Sequence, residues 1–185
     1  TPASTPTPSR VPTPSTEGAE APLPTPSPEE ILIGRREGRM VHIGFDVEGD
    51  LRILDELLAV LEEEGYRTTF FLQGEWVQYH PEATKRIAAA GHELGNHSWS
   101  HPDMRTLDEA GIEREIRDTE ALVRKLTGRS TRPFFRPPYG LRNALVREVA
   151  YRLGYTTVIW TFGAQDWEPN ADENSVYRNL VDHAA

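Results

Sequence analysis

The chain has 185 residues, of which 29 are acidic and 20 are basic, so its formal net charge is −9 at pH 7. The absence of cysteine excludes disulfides and thiolate metal sites. No stretch approaches the roughly 18 apolar residues of a membrane span, and no basic run with interleaved aromatic residues indicates a nucleic-acid partner.

The first 30 residues are distinct in composition. They contain nine of the 15 prolines, mixed with Ser, Thr, Ala and Glu. Such a segment buries too little apolar surface to offset the entropy lost on ordering, so we predict a disordered Pro/Ser/Thr-rich linker over residues 1–30. Residues 31–185 are long enough for one domain. A tether of this kind favours an extracellular or cell-surface location, with an export or anchoring segment upstream.

Beyond the linker, short apolar runs alternate with stretches of helical periodicity that often end at glycine. Strands are predicted at 31–33, 40–45, 68–72, 93–95, 134–135 and 156–160. Helices are predicted at 51–64, 81–90, 107–127, 143–153 and 174–183. This alternation implies an α/β fold with a mostly parallel sheet and helices outside it.

Two histidines give the clearest chemical signal. His97 and His101 stand four residues apart in Asn96–Pro102. If this segment turned helically, their side chains would share one face and reach the same ion. Neutral imidazole suits zinc and similar divalent metals. The spacing alone is a weak signal, but the carboxylates Asp46 and Glu48 follow an earlier predicted strand, and together they favour a metal site.

Four segments resemble, in order, the motifs of the NodB-like polysaccharide deacetylases (carbohydrate esterase family four). Gly44-Phe45-Asp46-Val47-Glu48-Gly49 stands where that family has Thr-Phe-Asp-Asp-Gly. His97-Ser98-Trp99-Ser100-His101 matches His-(Ser/Thr)-x-x-His, and Arg136-Pro137-Pro138-Tyr139 matches Arg-x-Pro-Tyr. Gly163-Ala164-Gln165-Asp166-Trp167 half matches Asp-x-x-Asp-Trp. The resemblance implies a distorted (β/α) barrel that binds one divalent metal and uses it to activate a water.

The resemblance also implies a role for each matching residue. His97 and His101 would bind the metal, with zinc expected and cobalt, nickel or manganese as alternatives. Asp46 would be the general base, and Arg136 would hold it in place. The backbone N–H of Tyr139 would bind the oxyanion, so that this residue also contacts substrate.

The first motif departs from the family at the metal carboxylate, because Val47 cannot bind a metal. We predict that Glu48, one residue on, is the third ligand. Two alternatives stay open: Glu48 faces solvent, or Asp46 is itself a ligand and the base lies elsewhere.

The fourth motif departs as well. Gly163 replaces the aspartate that usually pairs with the motif arginine, so Asp166 becomes a candidate partner for Arg136. By resemblance, Asp166 and Trp167 belong to the substrate pocket, where Trp167 would contact the acetyl methyl group.

The family's last motif, Leu-x-His, supplies the general acid, and it is absent before the chain ends at Ala185. We therefore expect a C-terminally truncated domain with an incomplete barrel, and we predict that His183 is a surface residue rather than the acid. We also expect Trp76 and Trp160 to be core residues, and His42, His80 and His92 to be structural or surface residues.

The predicted function is metal-dependent removal of N-acetyl, or alternatively O-acetyl, groups from an acetylated polysaccharide such as peptidoglycan or a chitin-like glycan. One alternative is a catalytically impaired carbohydrate-binding or cell-wall module of the same fold. Another is a metal-independent relative that acts on a small amide.

Overall fold

A computed structural model describes residues 30–34, 41–49 and 53–184 of the chain. The predicted linker therefore lies outside the described residues, except for Glu30. The strands are β1 (Glu30–Ile31), β2 (Gly44–Val47), β3 (Thr69–Leu72), β4 (Glu93–Asn96), β5 (Phe134–Phe135) and β6 (Thr156–Val158). The helices are α1 (Leu54–Glu63), α2 (Gly74–Tyr79), α3 (Pro81–Ala89), α4 (Glu109–Thr127), α5 (Ala144–Arg152) and α6 (Glu173–Ala184).

The six strands form one sheet in the order β1-β6-β5-β4-β3-β2, and every neighbouring pair is parallel. Among the described residues, β1 and β2 are the two edges and the sheet remains open between them. The predicted α/β fold with a parallel sheet is confirmed, and the incomplete barrel remains a prediction. None of the described helices is long and apolar enough to cross a membrane.

Two apolar clusters join the helices to the sheet, and α4 contributes to both. In the first cluster, Val123 of α4 packs with Phe70 and Leu72 of β3. In the second cluster, Ile112 and Ile116 of α4 pack with residues of β5 and α5. Because its side chains are buried at both ends, α4 is a fixed support for whatever its remaining face contacts.

On the opposite face of the sheet, the charged side chain of Arg136 is buried. Residues alternate in direction along a strand, so Phe71 lies on the other side of β3 from Phe70 and Leu72. The guanidinium of Arg136 lies 3.9 Å from the centre of the Phe71 ring. Gly44 and Gly95 leave room for this pair: a Cβ at Gly95 would lie 2.8 Å from Phe71 Cε1, and one at Gly44 would lie 3.0 Å from Arg136 Nη2.

Two predicted elements need correction. The second strand begins at Gly44 rather than Met40, because β3 offers only four partners and pairs them with residues 44–47. Val41 and Ile43 precede the strand and are more than half exposed (55% and 51%), and Met40 lies outside the described residues. Helix α2 was not predicted, because six residues are too few to establish a periodicity.

Candidate metal centre

The predicted site residues lie at the carboxyl ends of three strands. Asp46 is in β2, with Glu48 just after that strand. His97 directly follows β4, and Arg136 directly follows β5. Since β2 to β5 are parallel neighbours in one sheet, their ends meet at the same edge. This brings together residues that are far apart in the chain.

Glu48, His97 and His101 form a group that fits a divalent cation. One ligand atom from each lies within 4.8 Å of the others, and Glu48 Oε2 is 2.8 Å from His101 Nε2. His97 Nδ1 is 2.7 Å from the backbone carbonyl of Arg136. A proton on Nδ1 donated to that carbonyl leaves Nε2 as the metal-facing atom, a common arrangement for histidine ligands. Two imidazoles and one carboxylate are a donor set that zinc accepts. That these three residues bind a metal remains a prediction.

The protonation states of the group also suit a metal. Burial lowers the pKa of His97 below its ordinary value of 6.5, so the ring is neutral at neutral pH. The hydrogen bond with His101 lowers the pKa of Glu48 below its ordinary value of 4.5, although partial burial opposes this shift. A neutral imidazole and an ionised carboxylate are the forms that bind metals.

Backbone alternation places position 48, rather than position 47, on the side of the sheet that faces the histidines. Val47 lies on the helix side of β2 and packs against the first apolar cluster. Asp46 and Glu48 flank it and contact the residues of the inner face, although Glu48 is already beyond the end of the strand. The side chain of Glu48 is 45% exposed but still reaches His101.

The segment between the histidines is an irregular loop, not the helical turn that the spacing suggested. Ser98 and His101 have positive φ angles of 64° and 58°. Non-glycine residues in this conformation cost about 1–3 kcal/mol each. The rings of His97 and His101 nevertheless lie only 5.0 Å apart between centres. The surrounding contacts must therefore maintain the loop.

Asp46 is the ion-pair partner of Arg136. Its Oδ1 accepts from Arg136 Nη1 at 2.6 Å, and it does not belong to the metal-ligand group. The expected alternative partner, Asp166, is exposed and makes no ion pair with Arg136, so that expectation was wrong. The reason is local: a turn with φ 58° at Gln165, bonded to the amide of Asn179, leaves Asp166 at the surface.

Aromatic side chains line one side of the site. The ring of Tyr139 lies edge-on to that of His101, 4.5 Å between centres. Trp160 packs so closely on Gly140 that a Cβ there would lie 3.0 Å from its Cη2. The centre of the Trp160 ring is also 5.8 Å from the guanidinium of Arg136. Trp160 is half-buried and lies beside the site, so the expectation of a core residue was wrong. Trp167 is 66% exposed, and its ring lies 3.2 Å from the position of a Cβ at Gly163; its contact with substrate remains a prediction.

Comparison with known proteins identifies the family. The sequence profile described as polysaccharide deacetylase matches residues 34–158. The chain belongs to the polysaccharide deacetylase family. It is 32% identical to the peptidoglycan-N-acetylmuramic acid deacetylase PdaA of Bacillus subtilis, covering 80% of this chain and 57% of PdaA. It is 35% identical to a peptidoglycan-N-acetylglucosamine deacetylase of Bacillus cereus, covering 69% and 46%. The chain thus spans about half the length of these relatives.

A solved structure gives the same fold. The crystal structure of a CE4 family pseudoenzyme from Bacillus anthracis superposes with a TM-score of 0.80 at 28% identity. The superposition covers 84% of this chain and 55% of that one. Membership of the polysaccharide deacetylases therefore rests on both sequence and fold, while the roles of the individual residues remain predictions.

Sequence reasoning missed the contacts that two residues make near this candidate site. Trp76 of α2 donates its indole N–H to the carbonyl of Gly49, next to Glu48, at 3.0 Å. Glu115 of α4 accepts three hydrogen bonds from the loop between the histidines. No local motif marks either residue, because each contact joins elements that are distant in the chain.

Proposed function

We propose that this chain carries the metal centre of a metal-dependent polysaccharide deacetylase. The observation that carries the proposal is the convergence of Glu48, His97 and His101 beside the Asp46–Arg136 ion pair. A cation site next to a positioned carboxylate can hydrolyse an acetamide, with the cation activating water and the carboxylate accepting its proton. Family membership supports the same reaction class.

Each side chain has a distinct part in the proposed reaction. A divalent cation held by Glu48, His97 and His101, with zinc expected, supplies Lewis-acid activation of water. Asp46 accepts the proton of the attacking water and can pass it to the nitrogen of the departing amine, and the 2.6 Å hydrogen bond from Arg136 keeps its carboxylate oriented. The N–H of Tyr139 would donate to the oxyanion of the tetrahedral intermediate.

The substrate we propose is an N-acetylated glycan. The relatives named above act on N-acetylmuramic acid or N-acetylglucosamine of peptidoglycan, so a cell-wall polymer outside the cell is favoured. The exposed rings of Tyr139 and Trp167, 61% and 66% accessible, offer apolar surface to a sugar or its acetyl methyl. Asp166 is exposed nearby in sequence and remains a candidate for contact with sugar hydroxyls. O-acetyl removal would use the same groups.

The test is acetate release from acetylated chito-oligosaccharides and peptidoglycan, measured together with metal content. Replacing His97 or His101 by Ala should abolish zinc binding and acetate release, and Glu48→Ala should weaken both. Lys85→Ala, an exposed change on α3, is the matched control. If Asp46→Ala removes the metal while Glu48→Ala does not, the carboxylate assignment is wrong. A wild-type chain that binds no divalent metal would refute the proposed centre.

A second candidate is a catalytically impaired module of the same fold. Val47 and Gly163 replace residues that the family motifs carry, and the similar Bacillus anthracis protein is described as a pseudoenzyme. Such a module would bind acetylated glycan, and even zinc, without releasing acetate. Glycan binding by calorimetry combined with no detectable acetate from the full-length protein would favour it over the enzyme.

A further inference from the structure

We infer that Glu115 is a positioning residue that sets how His97 and His101 present their rings to the metal; this inference rests on the proposed function. Glu115 lies on α4, away from the family motifs, and touches neither histidine directly. Its Oε2 accepts hydrogen bonds from the backbone N–H groups of Trp99 and Ser100, both at 2.8 Å. Its Oε1 accepts from the hydroxyl of Ser100, also at 2.8 Å.

The backbone N–H groups of the loop between the histidines all donate to side chains. The N–H of Ser98 donates to Asn96 Oδ1 at 3.0 Å, and the N–H of His101 donates to Ser98 Oγ at 3.2 Å. The other two N–H groups between the histidines are those bound by Glu115. Asn96 and Ser98 lie beside or within the loop, so Glu115 is the partner that ties these N–H groups to a distant element.

The element that binds these N–H groups must also be rigid, because Ser98 and His101 have positive φ angles. Ile112 and Ile116 flank Glu115 on α4 and are fully buried. Their packing fixes the helix, and the helix fixes the carboxylate. On the other side, the N–H groups of Gly74 and Glu75 bind the carbonyls of Ser98 and Trp99. The loop is thus held between α2 and α4, and Glu115 is the carboxylate that accepts from its backbone N–H groups.

All three groups that contact Glu115 donate hydrogen bonds to it, so a hydrogen-bond acceptor is needed at position 115. A carboxylate offers two acceptor oxygens and no competing donor. Gln can still accept from both N–H groups through its carbonyl, while its amide turns toward the hydroxyl of Ser100. Ala removes every contact and lets the loop relax away from its positive φ angles.

The experiment is zinc affinity of the metal-free chain, measured by competition with a chromophoric chelator. Glu115→Ala should weaken zinc binding by about 10- to 100-fold, the usual effect of losing a partner that orients a ligand. Glu115→Gln should recover most of that loss. Glu113→Ala is the matched control, because Glu113 lies on the same helix but pairs with Arg117 at 3.6 Å.

A second control separates positioning from general stability. Val149→Ala creates a cavity in the second apolar cluster, where Val149 is fully buried, and should lower the melting temperature without changing zinc affinity. If Val149→Ala weakens zinc binding as much as Glu115→Ala, the inference is overturned. If Glu115→Ala unfolds the chain, Ser100→Ala tests it instead, because that change removes one contact and should weaken zinc binding a few-fold.

The outcomes also distinguish this inference from the proposed function. A wild-type chain that binds zinc, with Glu115→Ala binding equally well, overturns the positioning role and leaves the metal centre intact. A wild-type chain that binds no zinc overturns both.

Discussion

Gly74 lies where α2 packs closely against both α4 and the loop between the histidines. Replacing it by Ala should disturb all three segments. A Cβ at this position would lie 2.6 Å from Thr119 Oγ1 and 2.8 Å from Trp99 Cδ2. Favourable contacts between such atoms need about 3.5–4.0 Å. Thr119 is fully buried on α4, so the indole of Trp99 has to move. Trp99 lies between the two histidines, and its movement would displace them.

The expected magnitude follows from two opposing effects. Overpacking a well-packed site costs about 1–3 kcal/mol. Ala in place of Gly in a helix recovers about 0.5–1 kcal/mol. The net loss of unfolding free energy should therefore be up to about 2.5 kcal/mol, or up to roughly 10 °C in melting temperature for a chain of this size. Zinc affinity should fall by about tenfold or more, because a displaced loop no longer orients its ligands.

Urea unfolding of the metal-free chain and zinc competition would measure the two effects. Gly34→Ala is the control, since a Cβ at Gly34 meets no described atom within 4 Å, and it should stay within about 0.5 kcal/mol of wild type. Adding Trp99→Ala to Gly74→Ala should relieve the part of the clash that comes from the indole, while the contact with Thr119 stays, giving a coupling energy of about 1 kcal/mol in a double-mutant cycle. Wild-type stability and zinc affinity in Gly74→Ala would refute the reasoning.

Three further changes test other parts of the site. Asp46→Asn should retain zinc binding, lose about 1–2 kcal/mol of stability because a neutral group replaces a charged acceptor, and slow acetate release by about 10²–10⁴-fold; loss of zinc would instead make this residue a ligand. Trp76→Phe keeps an aromatic ring but removes the N–H that is bound to Gly49. It should lower the free energy of unfolding by about 1 kcal/mol and weaken zinc binding. Unchanged zinc affinity would show that Trp76 does not help to position Glu48. Burial alone would raise the pKa of Glu120, but hydrogen bonds led by those from Thr131 hold it below its ordinary value of 4.5. Because the pKa of Glu120 is lower in the folded than in the unfolded state, its ionised carboxylate stabilises the fold above pH 4.5. This stabilisation is lost as the pH falls through the pKa of the folded state. Glu120→Gln should therefore flatten the decrease of the urea midpoint between about pH 5 and 3, and an unchanged slope would show that other carboxylates cause it.

Sequence reasoning succeeded where the signal is local. The motifs around His97 and Arg136 predicted the family, which the sequence profile confirms. Strand and helix alternation predicted the parallel sheet, because hydrophobic periodicity reports which face of an element is buried. The domain boundary at residue 31 and the residue roles remain predictions.

Sequence reasoning failed where contacts with another element determine where a residue lies. Val41 and Ile43 look like strand residues, yet the strand is placed by the four residues that β3 offers for pairing. Asp166 looked like the partner of Arg136, but the path of the loop after β6 exposes it. Trp160 looked like a core residue, but its ring lies against Gly140 and beside Arg136 at the edge of the site.

The sequence by itself determined the family, the order of the elements and the candidate ligands His97 and His101, because motif spacing and periodicity are properties of adjacent residues. The structure agrees with the expected pairing of Asp46 with Arg136 and places Glu48 beside His101. Only the tertiary structure decided that Asp166 lies at the surface and that Glu115 holds the loop between the histidines. These contacts join residues on different strands and helices. Their distances depend on how the sheet and α4 pack, which no local pattern encodes.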